Sequence, residues 1–144
     1  MKHRHSIILA LLSAFVLVGC SHQALTIQAK IATSAHSLLA QSHDAIIDAR
    51  GDALREAIAS AETEVEARES VQEVKDFFEP ILLVYALCRS SFNAWLAIMV
   101  RSLDDDTVTI EQIKALGEEF MDLYRDLVRG CQFMGIDIPE GEER

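Results

Sequence analysis

The sequence predicts an all-α fold, an elongated three-helix bundle in which a long N-terminal helix packs on a helical hairpin. Three observations predict it. Apolar residues recur at intervals of three, four and seven over most of residues 24–128. No stretch alternates apolar and polar residues for long, and no Asn-Gly or Asp-Gly turn occurs, so strand signals are scarce. Ser70 with Glu73 and Thr109 with Gln112 match capping boxes at the starts of two apolar-periodic runs. The chain has 144 residues, half of them apolar, with six glycines and two prolines. That length fits one domain, and that composition excludes collagen-like, low-complexity and extensively disordered classes. Thirteen basic and 23 acidic residues give a net charge of −10, which argues against nucleic acid as a partner because phosphates would be repelled.

The N-terminus reads as an address. Met-Lys-His-Arg-His is a short cationic segment, and the mostly apolar run Ile7–Val18 follows it. That run is too short to span a bilayer comfortably but right for a signal-peptide core. It ends in Leu17-Val18-Gly19-Cys20. The arrangement resembles the lipobox of bacterial lipoproteins. In that family the Cys thiol accepts a diacylglyceryl group, signal peptidase cuts just before it, and the freed amine is acylated, commonly with palmitate. The resemblance implies that residues 1–19 are removed, that Cys20 is the lipid attachment site, and that residues 20–144 form the lipid-anchored domain. Losing Lys2 and Arg4 but no acid leaves the mature chain at a net charge of −12. So acidic a chain on an anionic membrane should project from it rather than lie on it. Ser21 rather than Asp follows the Cys. This resembles the pattern that sorts diderm lipoproteins to the periplasmic face of the outer membrane. Otherwise the outer face of the cytoplasmic membrane is implied.

The first helix is expected from about Ala24 to Glu69, with Ile27, Ile31, Ala35, Leu38, Ala45, Ile46, Ala49, Leu54, Ile58 and Ala61 on one face. Its many alanines let a partner helix approach closely. Gly51 interrupts the pattern, and Asp52 is placed to start a second half. The second helix is expected from Ser70, with a kink or restart at Pro80, which lacks an amide for the preceding turn. Residues 81–100 are apolar nearly all round, the mark of a buried central helix. Their length also suits a membrane span, but Arg89 at the midpoint would cost about 2.5–3.5 kcal/mol there.

Asp104–Asp106 should close the second helix and open the third, with Thr109 as cap and Val108 and Ile113 as a hydrophobic staple. Ile113, Leu116, Phe120, Leu123, Tyr124, Leu127 and Val128 form the third helix's core face. Gly130, after Arg125 and Arg129, reads as its C-terminal signal. In the tail, residues 131–144, Phe133, Met134, Ile136 and Ile138 should pack back on the bundle, with the last four residues frayed.

Few residues suggest chemistry. Cys88 and Cys131 remain once Cys20 is lipidated, and an exported chain permits a disulfide between them. If the hairpin turns near residue 105, however, Cys88 lies opposite about Leu123, roughly 12 Å along the axis from Cys131. Disulfide Cα atoms lie within about 7 Å. Only a tail that folds back after Gly130 would close the gap; otherwise the pair are two small core thiols. The same register sets Asp122 opposite Arg89, which suggests a buried structural ion pair. A snorkelling surface Arg or a ligand-binding Arg are the alternatives. His36 and His43 are seven residues apart, too far for one metal, and Asp104–Asp106 lack the spacing of a calcium loop. No nucleophile motif or phosphate loop occurs, so no catalytic residue, metal or cofactor is assigned.

These readings point to a non-enzymatic envelope lipoprotein. It would sit on the membrane through its lipid and act on an envelope protein partner, or as a homo-oligomer, near the surface. Two alternatives stand beside it. One is a membrane-active or membrane-spanning helical protein using residues 81–100. The other is a small prophage-type lipoprotein that excludes superinfecting phage, whose size and anchor fit but which no residue demands.

Overall fold

The computed structural model describes the backbone of residues 2–139 and the side chains of residues 23–139. Its elements are α1 (Lys2–Ser60), α2 (Glu64–Arg101) and α3 (Ile110–Phe133). Among the described residues there is no strand, so the expected helical bundle is the fold.

The ring contacts define how the helices run. His36 stacks on Phe92 at 5.9 Å and His43 packs on Tyr85 at 5.2 Å, so α2 descends as α1 ascends. Trp95 meets Gly117 and Ile81 meets Gly130, so α3 turns back again. Ser42 meets Tyr124, which places α1 and α3 side by side in parallel.

Each helix buries a heptad stripe. On α1 it is Gln28, Ala32, Ala35, Leu39, Ser42 and Ile46. On α2, half-buried Tyr85 completes the series Phe78, Ile81, Cys88, Phe92, Trp95 and Met99. On α3 it is Ile113, Gly117, Phe120, Tyr124, Leu127 and Cys131. Spacings of three and four in strict alternation give the geometry of a left-handed coiled coil.

The stripe on α1 keeps Ala35 and Ile46 of the expected face and departs from it elsewhere. Ile27, Ile31 and Ile58 are exposed, while alanines and a serine lie inside. Volume is the reason. Phe92, Trp95, Phe120 and Tyr124 form a chain of rings with neighbouring centroids 5.4–6.1 Å apart. Small residues on α1 are what fit against rings of that width at native packing density. α2 packs against both other helices, but it is not buried all round. A helix in a three-helix bundle meets two neighbours and keeps an outer face, and here Leu83, Leu87 and Val100 are exposed on it.

Several boundaries also move. Gly51 does not interrupt α1, which continues to Ser60. Thr63, not Ser70, caps α2: its hydroxyl accepts from the Glu66 amide at 3.2 Å, and the Glu66 carboxylate accepts from the Thr63 amide at 3.2 Å. Glu64 and Glu66 then sit in the first turn, where carboxylates suit the helix N-terminus. α2 does not restart at Pro80 but runs on through it. The Thr109–Gln112 box forms as expected, and Val108 and Ile113 both join the core.

α3 does not end at Gly130. It continues to Phe133 and closes at Gly135, whose φ of 73° suits glycine. The Ile136 amide bonds the Cys131 carbonyl and the Gly135 amide bonds the Gln132 carbonyl, which is a Schellman motif. That turn sends Ile136 and Ile138 back into the core and leaves Met134 half-buried, as expected, but Phe133, expected beside them, lies before the turn and faces solvent. Residues 140–144 lie outside the described residues.

The tail is held by Tyr124. Its hydroxyl donates to the Pro139 carbonyl at 2.7 Å and lies 3.0 Å from Ser42 Oγ, which is 2.8 Å from the Leu38 carbonyl. Two hydroxyl protons serve three contacts, so at most two of these hydrogen bonds form at once. Tyr124→Phe should cost about 1–2 kcal/mol and expose residues 134–139 to protease with helix content unchanged. Denaturation and limited proteolysis read the two effects.

Gly130 and Gly117 are close approaches of different kinds. A methyl at Gly117 would lie 2.9 Å from the rigid Trp95 indole, whereas one at Gly130 would meet only the terminal Cδ1 of Ile81, at 2.6 Å. Alanine favours a helix over glycine by about 1 kcal/mol. Gly117→Ala should nonetheless lower stability by about 1–3 kcal/mol through overpacking. Gly130→Ala should stay within about 1 kcal/mol of the parent, because Ile81 can turn aside. Urea unfolding followed by circular dichroism compares them, and equal losses would refute the distinction.

Candidate functional site

The far end of the bundle, where α1 stops, α2 starts and the tail folds back, holds an open concavity. Three local events make it. The Thr63 box starts α2 after only three connecting residues, so α1 and α2 meet at a tight connection. The Schellman turn lays Met134, Gly135 and Ile136 across the opposite side. Small residues on α1 leave the space between unfilled. The resulting open groove has a volume of about 750 Å³.

Its floor is apolar: Ala49, Ala53 and Ala57 on α1, Val74 and Phe77 on α2, and Met134 in the tail. Its rim is acidic. Asp52, Glu56 and Glu73 all line it, and Asp52 pairs with Arg55 on the exposed side of α1. Residues 52–76 contain eight acids and three bases, so this end carries much of the negative charge. Two aromatic rings there are bare to solvent: Phe77 is 56% exposed and Phe133 is 92% exposed.

The sequence-derived site residues fall elsewhere. Cys88 and Cys131 are free thiols, both fully buried, so the candidate disulfide is not formed. Cys131 sits within the last turn of α3, before the tail turns back, and the axial offset between the two cysteines therefore stands. Burial pushes the Cys88 thiol up to about 12, assisted by the Asp126 carboxylate, and the Cys131 thiol up to about 11. Both are protonated near neutral pH and are not nucleophiles there.

The expected Arg89–Asp122 pair is a correction. Asp122 bonds Arg125 one turn along α3, and Arg89 and Asp122 are both exposed. The two residues share an axial level, but each lies off the buried stripe of its helix. Among the described residues, the buried polar ones are Gln28 and Ser42. Cys20 belongs to the segment whose side chains lie outside the described residues.

Asp105 turns out to organise the hairpin connection. It accepts from the Thr107 amide at 3.0 Å and from Arg101 Nε at 2.9 Å. The Thr107 bonds, more than Arg101, hold its carboxyl below the usual range. His36 and His43 lie against α2 rings. Among the described residues no group of three or more His, Cys, Asp or Glu is arranged to hold a metal ion.

Sequence reasoning missed the groove altogether. One signal was present: Ala49, Ala53 and Ala57 repeat every four residues, beside the acid-rich stretch 62–69. The geometry defines a class, a small acidic helical bundle with an open groove at one end. No protein-family model, curated protein or solved structure matches this chain.

The thiols yield two measurable outcomes. A thiol-reactive disulfide reagent should label neither Cys88 nor Cys131 in the folded chain, and both on unfolding without added reductant. Stability should also depend on alkaline pH. Below about pH 8.5 both thiols are protonated whether the chain is folded or not. Above that, the unfolded chain releases protons that the folded chain retains, so stability falls as pH rises, until the buried thiols ionise near pH 11–12. Thermal melts across pH 8–11 measure the slope, which Cys88→Ala should flatten.

Proposed function

We propose that this chain is a membrane-anchored envelope lipoprotein whose helical bundle acts by binding another protein, without catalysis of its own. The observation that carries the reading is the succession of sequence signals at the N-terminus: a cationic start, an apolar run over residues 7–18, and Leu17-Val18-Gly19-Cys20. Lipid on Cys20 would hold the protein at the membrane with little loss, since each buried methylene contributes about 0.8 kcal/mol and two or three chains act together.

The position of the core supports work near the membrane surface. Among the residues whose side chains are described, burial on α1 begins at Gln28, only eight residues beyond Cys20, which leaves little room for a tether between the anchor and the bundle. Protonated, buried thiols and a solvent-open groove with an acidic rim suit recognition rather than bond chemistry.

One observation favours the membrane-active reading as a second choice. α2 is long and apolar enough to cross a bilayer, and its outer face leaves Leu83, Leu87 and Val100 uncovered. Its inner face, however, supplies Phe92 and Trp95 to the core, and crossing a membrane would strip them of their partners.

Metabolic labelling with palmitate and membrane fractionation test the anchor. The parent should take up label and sediment with membranes, and Cys20→Ala should do neither. Labelled, membrane-bound Cys20→Ala protein would sink the lipoprotein reading. Residues 21–144 produced without the signal separate the two choices. A soluble, cooperatively melting helical protein supports the bundle, and aggregation without detergent supports the spanning helix.

A further inference from the structure

We infer that the groove at the far end of the bundle docks a basic amphipathic helix, Lys- or Arg-rich on one side and apolar on the other, belonging to a partner protein. The inference rests on the protein-binding reading above and assigns it a place and a chemistry.

The floor and rim specify the occupant together. Ala49, Ala53 and Ala57 present only methyl groups at four-residue spacing, so another helix can approach α1 closely along that line. Val74, Phe77 and Met134 offer apolar surface to residues on one face of the visitor, the usual mode of a helix lying in a groove. Phe77 is more than half exposed despite that apolar setting, the condition of an aromatic anchor awaiting a partner. Asp52, Glu56 and Glu73 stand at the edge, where they would meet the polar flanks of that helix. Eight acids against three bases in residues 52–76 make those flanks cationic by complementarity.

The same charge disfavours the other occupants. A second copy meeting this one through a two-fold axis would bring two acidic rims together. An anionic lipid surface would be repelled for the same reason.

The test uses the full lipidated chain in phosphatidylcholine nanodiscs. The probe is an 18-residue helical peptide with Leu and Ala on one face and Lys on the other, carrying one central benzophenone. After illumination, peptide mapping by mass spectrometry reads where it attaches. Crosslinks are expected within residues 49–60, 70–78 and 134–136. Their yield should fall about tenfold for Glu56→Lys combined with Glu73→Lys, and about tenfold for Phe77→Ala. It should be unchanged for Leu87→Lys on the outer face of α2. These substituted side chains are exposed, so helix content should stay at the parent value and serves as the folding control.

Equal labelling by the same peptide with Glu in place of Lys would overturn the inference. So would crosslinks on residues 83–97, or an equal loss on reversing Glu111 and Glu118, which would mark unspecific charge attraction. A photo-crosslinker built into the chain in its own envelope separates the two levels. Capture of one protein from position 87 and none from position 57 or 77 would refute the groove and leave the protein-binding reading standing. Capture from no position would remove both.

Discussion

The fold depends on one match of volumes. Four rings from the hairpin, Phe92, Trp95, Phe120 and Tyr124, fill the middle of the bundle, and small residues make room for them on α1 and α3. Gly117 gives the Trp95 indole its room, at a separation where even a methyl would collide. Ala32, Ala35 and Ser42 give α1 its approach. The rings also set the axial register of all three helices, because a slide of one turn would drive an indole or a phenol into a larger side chain. The match has a cost that the structure retains. The Trp95 indole N–H is buried without a hydrogen-bond partner, which at about 1–3 kcal/mol is a substantial loss in so small a domain.

This match explains which parts of the fold were legible in the sequence. Axial position was readable, because a hairpin turning near residue 105 fixes which levels oppose each other. The Trp95–Gly117 and Ile81–Gly130 contacts follow the register that sets Cys88 beside Leu123. Rotation about each helix axis was not readable. Hydrophobicity favours Ile27 and Ile31 as core residues, but the buried positions lie one residue later, Gln28 in place of Ile27 and the smaller Ala32 in place of Ile31. The same rotation turns Arg89 and Asp122 outward, so two residues at one level do not meet. Helix starts were ambiguous for a local reason. Thr63 and Ser70 both precede a glutamate by three, and only the placement of Glu64 and Glu66 in a first turn tells them apart. The groove was invisible because its walls come from three segments far apart in sequence.

Charge is arranged independently of the core. Asp and Arg pair within single helices at three- or four-residue spacing, as in Asp52–Arg55, Asp122–Arg125 and Asp126–Arg129, and all of these pairs are solvent-exposed. Each such pair contributes at most about 1 kcal/mol, so they serve solubility more than stability. The acids of residues 52–76 go further. They outnumber their local bases at one end of the rod, and crowding like charges works against compactness. A surface selected only for stability would spread those carboxylates. Residues 104–119 at the other end are as acidic, with six acids against one base, but the acids of residues 52–76 stand beside an apolar concavity.

The two ends differ in construction as well. Because α1 and α3 run parallel with α2 against them, the α2–α3 connection lies beside the early part of α1, and the α1–α2 connection lies beside the tail. The first connection is closed: Asp105 gathers Arg101 and Thr107 around itself. The second is open, and its outer wall stands only because the chain reverses at Gly135. That reversal is secured about 40 Å from Gln28, measured along α1 to Glu56, yet its lock lies within the core. Tyr124 holds the Pro139 carbonyl with the hydroxyl that also meets Ser42 on α1. One phenol therefore joins α1, α3 and the tail, and the width of the groove is tied to the packing of the rings below it. A change that loosens the ring stack, such as a larger residue at Ser42 or Gly117, would displace Tyr124 and with it the wall formed by Met134 and Ile136. Core packing and groove geometry are in this sense one constraint, transmitted through a single hydroxyl.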